Sequence, residues 1–241
     1  MTGGSRGIGL AVATALAREG CAVILVARDN VALDHAAEAL RSTGAEVDTI
    51  TADLGQDSGV QRVVERCGPL DILANNAGAI PPGSLAEVDM VRWRAGWDLK
   101  VFGYISLIQK LYPNIRERRG VIVNVIGSAG ERFPADYIAG AAGNAALMGF
   151  TRALARASHR EGVRIVGINP GPVRTERLTM MMRARAQSEL GDAGRWEELI
   201  ASMPFGRFAE PEEIADAVAF LASPRSGYTS GTILTIDGGQ A

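Results

Sequence analysis

Thr2-Gly3-Gly4-Ser5-Arg6-Gly7-Ile8-Gly9 runs directly into the amphipathic segment Leu10 to Glu19. Glycines at 3, 7 and 9 permit a tight turn and close approach of backbone to a ligand. A helix starting immediately behind them aims its unpaired N–H groups at whatever the turn encloses. The stretch reads as a dinucleotide-binding loop, with a pyrophosphate expected at the helix N-terminus. A glycine-rich turn without any ligand would look the same in isolation, so the surroundings decide. Such a loop follows a strand, and only Met1 stands ahead of it. The expectation is that the first strand is missing from the N-terminus as written.

Outward from the loop, short apolar runs alternate with longer segments of helical spacing, the pattern of βα units on a parallel sheet. Strands are expected at 22–26, 46–50, 70–74, 121–125, 164–168 and 232–236, and helices at 10–19, 31–42, 59–66, 93–117, 143–160 and 211–221. Most of the runs are continuously apolar, as strands covered on both faces are. Neither an internal repeat nor a linker-like stretch interrupts the chain. The expected fold is α/β, a single Rossmann-type doubly wound parallel sheet with helices on both faces, and residues 1–241 form one domain.

The 241 residues are 47% hydrophobic and 22% charged, the composition of a globular chain, and their formal net charge is −2. Without a basic footprint, nucleic acid and anionic membrane surfaces are poor partners, and a small molecule fits better. Two cysteines, Cys21 and Cys67, suggest no disulfide framework. No apolar run nears the roughly 18 residues of a membrane helix, and no signal peptide is seen, so a cytoplasmic setting is expected. Of 25 basic side chains only Lys100 and Lys110 are lysines, which makes each worth locating.

Thr2 to Gly9, Asp53-Leu54, Asn75-Asn76-Ala77-Gly78, Pro170-Gly171-Pro172-Val173-Arg174-Thr175 and Asp237-Gly238-Gly239 together resemble the short-chain dehydrogenase/reductase family over essentially the whole chain. The resemblance implies a nicotinamide cofactor across the carboxyl ends of the strands, a carbonyl or secondary-alcohol substrate, and a homo-oligomer, dimer or tetramer. It implies that Gly3, Ser5, Arg6, Ile8 and Gly9 hold the pyrophosphate. Asp53 would hydrogen-bond the adenine amino group, with Leu54 beside the ring. Asn75, Ala77 and Gly78 would line the ribose and support the sheet, while Pro170, Gly171 and Thr175 would hold the nicotinamide end. A carboxylate near the adenosine 2′ position favours NAD, and an arginine favours NADP. Arg28 ends the second expected strand, Arg6 sits in the loop, and Asp29 comes one residue too late to occupy the strand end. Two guanidiniums able to fork a phosphate argue for NADP(H) over NAD(H).

Relatives of this pattern carry an Asn on the long fourth helix, a Ser after the fifth strand and a Tyr-x-x-x-Lys pair on the next helix. In the matching register those four places hold Lys100, Gly127, Gly140 and Asn144. Ser128 lies one position late, and Tyr137 stands three residues before Gly140. A rewired site would use Tyr137 as acid/base, leaning into the space left by Gly140, with Lys100 as its electrostatic partner and Ser128 as orienting group. Asn144 would face the cofactor. Alternatively Tyr137 is a loop tyrosine in water and Lys100 caps a helix or pairs with Asp98, Asp136 or Glu131; the chain would then be an NADP(H)-binding sensor or partner subunit without turnover. Lowering a tyrosine from near 10 to near 7 requires roughly 4 kcal/mol in favour of the phenolate. Residues 177–208, with Met180-Met181-Met182 and Trp196, are expected to cover the substrate.

Overall fold

In the computed structural model, which describes residues 1–240, Val121–Val125 forms a strand, β4, whose residues divide by parity. Val121, Val123 and Val125 pack on one side of the sheet with Val12, Leu16, Ile214 and Val218, whereas Ile122 packs on the other with Leu107, Leu111 and Ile165. This period of two, apolar on both faces, places β4 inside a sheet with helices above and below. The remaining strands are β1 (Val23–Ala27), β2 (Val47–Thr51), β3 (Ile72–Asn75), β5 (Arg164–Pro170) and β6 (Ile233–Ile236). All pairings are parallel, β1 with β2 on one side and β3-β4-β5-β6 on the other.

Met1 and Thr2 join these two blocks. Thr2 bridges Val26 of β1 and donates its N–H to the Ala74 carbonyl of β3, at 3.0 Å, while the Met1 carbonyl accepts from Val26 at 2.9 Å. The place of the expected first strand is thus held by two residues, which supply backbone partners to both flanking strands. Strand order runs away from this point in both directions, the switch point at which open α/β sheets bind ligands.

Helices α1 (Gly7–Arg18), α2 (Asn30–Arg41), α3 (Asp57–Arg66), α4 (Met90–Trp97), α5 (Gly103–Glu117), α6 (Ala129–Arg132), α7 (Ile138–Ser158), α8 (Glu176–Leu190) and α9 (Pro211–Ala222) complete the described fold. Three features position the site. The segment expected as one helix over 93–117 contains a π-helical turn, Asp98–Phe102, between α4 and α5. The long α7 begins at Ile138, earlier than expected, with Tyr137 as its N-cap residue. Residues beyond Thr175 build α8 and a 3-10 segment, Ala193–Ile200, around a small core of Ala186, Trp196, Ile200 and Phe208.

Candidate functional site

A cleft of about 910 Å3 opens at the switch point, bounded by the glycine loop, the ends of β1, β4 and β5, and α8. Gly3, Ser5, Arg6 and Ile8 line it. Gly3 and Gly7 have φ of 63° and 54°, a conformation side chains rarely adopt. Gly9 is buried behind the loop, where a Cβ would strike the Gly3 carbonyl, so it sets the helix against the turn. The Thr2 hydroxyl accepts from the N–H groups of Asn76 and Ala77, at 2.8 and 3.1 Å, tying the loop to the end of β3. At the start of α1, Arg6 gives no side-chain cap and the first turn carries no acid. Those unsatisfied N–H groups face an open cleft and fit a phosphate, so the residues present suit a dinucleotide.

At the β1 end, Arg28 and Asp29 join Arg6 in lining the cleft. Asp29 caps α2 by accepting from Ala32 N, and its other oxygen takes the Arg6 guanidinium at 2.9 Å. Counting from the strand end had set Asp29 aside, yet its carboxylate reaches back to the loop. Arg28 approaches Asp53 at 4.0 Å. Asp53 lies in an adjoining hollow of about 380 Å3, where its other oxygen accepts from Gly55 N, and Leu54 borders the main cleft. Both ion pairs are half-exposed and therefore weak.

Ala77 and Gly78 line the cleft as expected, but Asn75 does not. Asn75 belongs to β3 and is fully buried, donating to Asn124 at 3.1 Å in a chain that continues to Thr151. Only the sheet-supporting half of its expected role fits. The cleft residue is Asn76, which the expectation passed over although strand alternation turns adjacent residues to opposite sides. Pro170, Gly171 and Thr175 border the far end. The Thr175 hydroxyl caps α8 at Leu178 N, which turns its methyl toward Gly7.

Lys100 is partly buried and borders the cleft beside Ile126 and Gly127. The π-turn carries its side chain across Gly78, where an added Cβ would lie 2.8 Å from the lysine Cδ. Its Nζ donates to the Ile126 carbonyl at 2.5 Å, and burial lowers its pKa from 10.5 to about 8. No ion pair to Asp98, Asp136 or Glu131 is found among the described residues.

The Tyr137 ring fills the space left by Gly140, where an added Cβ would fall on Cε1 and Cζ. The expected coupling of Tyr137 to Lys100 is corrected, however. Tyr137 is outside the cleft lining, burial raises its pKa, and the cation acting on it is Arg177 of α8. A tyrosine moved upward is not poised to ionise near neutrality. Ser128 is also corrected: it is buried outside the lining, its N–H donating to Pro170, while the Gly127 backbone faces the cleft. Gly127 has φ of 132° and lies against Asn144, whose Nδ2 donates to the Gly127 carbonyl at 3.2 Å and whose buried Oδ1 has no partner. Glycine at 127 and asparagine at 144 therefore go together. Arg177, Met180 and Met181 of α8 border the cleft, at the start of the segment 177–208 expected to cover the substrate.

Comparison with known proteins agrees with this architecture. A family model described as enoyl-(acyl carrier protein) reductase matches residues 3–241. The chain is 31% identical over 246 residues to acetoacetyl-CoA reductase of Allochromatium vinosum, covering 99% of this chain and 96% of that one. It is similar in structure to L-sorbose reductase of Gluconobacter frateurii complexed with NADPH and L-sorbose (TM-score 0.94, 32% identity, 99% and 94% coverage). It is also similar to an NADPH-bound short-chain oxidoreductase of Pseudomonas aeruginosa containing an atypical catalytic center (TM-score 0.90, 32% identity, 100% and 95% coverage).

Proposed function

The chain belongs to the short-chain dehydrogenase/reductase family of NAD(P)-dependent oxidoreductases, and from that premise we propose that it uses NADPH to reduce a small carbonyl compound to the alcohol. The carrying observation is the uncapped N-terminus of α1 facing a cleft of about 910 Å3 that Lys100 also borders. Gly3, Ser5, Arg6, Ile8 and Gly9 hold the pyrophosphate. Arg6 and Arg28 select the 2′-phosphate, Asp53 and Leu54 hold the adenine, Ala77 and Gly78 the ribose, and Asn144, Pro170, Gly171 and Thr175 the nicotinamide end. Bound there, the cofactor supplies the hydride. The family's Asn, Ser, Tyr and Lys are replaced by Lys100, Gly127, Gly140 and Asn144, so this is a divergent member. Residues 177–208 cover the substrate, and Met180 and Met181, exposed at the cleft, adapt to its apolar part. Residues 1–241 act as one domain. The chain assembles as a homodimer or homotetramer; the open edge strand β6, with Leu234 exposed, and Phe220 on α9 support this.

A second reading, an NADP(H)-binding sensor or partner subunit without turnover, draws on the burial of Ser128 and the upward shift of Tyr137. Steady-state oxidation of NADPH against acetoacetyl-CoA, ethyl acetoacetate and L-sorbose separates the two. Saturable turnover of at least one of these is expected, and NADPH binding without turnover of any would favour the second reading.

A further inference from the structure

Reduction of a carbonyl needs a proton donor as well as a hydride, and neither Tyr137 nor Ser128 is among the residues that border the cleft. Lys100 is the ionisable side chain at the inner end of that cleft. Gly78 leaves room for its stem, and neither Gly78 nor Gly127 interposes a side chain. One of its three N–H bonds is taken by the Ile126 carbonyl. The other two can serve a ligand.

We propose that the Lys100 ammonium is the proton donor of the reduction, a catalytic residue rather than an electrostatic accessory to a tyrosine. The proposal rests on the NADPH-dependent reading given above. In the step, hydride supplied by NADPH forms a C–H bond at the carbonyl carbon and the C=O π pair moves to oxygen. That oxygen takes a proton as one Nζ–H bond breaks. Ketone, NADPH and ammonium become alcohol, NADP+ and neutral amine, and water returns the proton to the amine.

The surroundings suit this role. No carboxylate pairs with Nζ among the described residues, so burial acts unopposed and brings the group's pKa to about 8, where a general acid is both protonated near neutrality and able to give the proton up. Of the charged groups on the cleft, Arg6, Arg28 and Asp29 lie at its phosphate end, and Glu176 and Arg177 come from α8. On the π-turn itself, Asp98 borders the adjoining hollow, and α7 presents the neutral Asn144 against Gly127.

Two lysines in the chain make the test clean. In the exposed-site variant Lys110→Arg, labelled with [ε-15N]lysine, the only side-chain amine signal is that of Lys100. It should titrate near 8 by NMR. In parallel, kcat for reduction of the best carbonyl in the panel should fall tenfold per pH unit above about 8. Lys100→Met and Lys100→Arg should both lose roughly 100-fold or more in kcat while binding NADPH within about 3-fold of wild type. Arginine keeps the charge but cannot give up a proton, so its failure to rescue distinguishes proton donation from electrostatics. A Lys100 signal titrating at the ordinary lysine value, an unchanged pH limb in Lys100→Arg, or kcat retained in that variant would each overturn the proposal. If the wild type binds no NADPH, or binds it and reduces none of the panel, the NADPH-dependent reading itself falls and the inference with it.

Discussion

Lys100 costs the fold stability. The fall from 10.5 to about 8 on burial corresponds to about 3 kcal/mol against the charged form. Between those pH values the unfolded chain holds the proton and the folded chain does not, so stability rises as pH is raised from about 8 toward 10.5. Lys100→Met keeps the length and removes the partly buried charge, losing one hydrogen bond worth about 1 kcal/mol. It should therefore be more stable than wild type by about 2 kcal/mol at pH 7 in urea unfolding, an advantage that shrinks as pH rises from about 8 toward 10.5. An unchanged or lowered stability at pH 7 would mean the ammonium is not held in an apolar site. This opposition of stability and activity is expected where a buried group is kept for chemistry. Of the residues involved, Lys100 was legible because lysine is so rare in this chain. The place of Tyr137 was half legible. Gly140 signalled room for a ring, but no local pattern could reveal that α8 brings Arg177, not Lys100, to it.

Among the elements, α1 and α2 meet at the loop, where Arg6 is shared between Asp29 and any phosphate in the cleft. Asp29 also caps α2, so replacing it by alanine would confound two effects. Asparagine keeps the cap and removes the competing charge. Asp29→Asn should tighten NADPH by about 2- to 5-fold with less effect on NADH, read by titration of each cofactor, given that exposed ion pairs are worth under about 1 kcal/mol. Equal changes for both cofactors would show that Arg6 does not meet the 2′-phosphate. The strands and the α1, α2, α3 and α9 helices were legible to within a few residues, since apolar runs and amphipathic spacing mark them. The π-turn at Asp98–Phe102 was not, because its cause is packing: Gly143 brings α7 against Val101 and Trp97, and Trp97 Nε1 donates to Ala139 on α7. Nor was α6 or the start of α7, where Tyr137 pairs with Gly83 far away in the chain.

At the scale of the whole molecule, the sheet is two blocks held together by Met1 and Thr2, and the cleft opens where they meet. In the proposed function a dinucleotide lies across that junction and contacts both blocks, with adenosine on the β1 side and nicotinamide on the β4 and β5 side. The switch-point cleft was legible in the linked motifs across the chain, because each βα loop contributes at a fixed place along the sheet. The chemistry at its inner end was less legible, since it depends on which side chains the helices bring together. The central claim is that this cleft holds NADPH. Its most direct test is titration of the purified protein followed by nicotinamide fluorescence. The account predicts a saturable increase with one cofactor per chain, weaker with NADH, and lost in Gly9→Ala, whose methyl would strike the Gly3 carbonyl. A wild-type protein that leaves NADPH fluorescence unchanged, in a titration where Gly9→Ala behaves no differently, would contradict it.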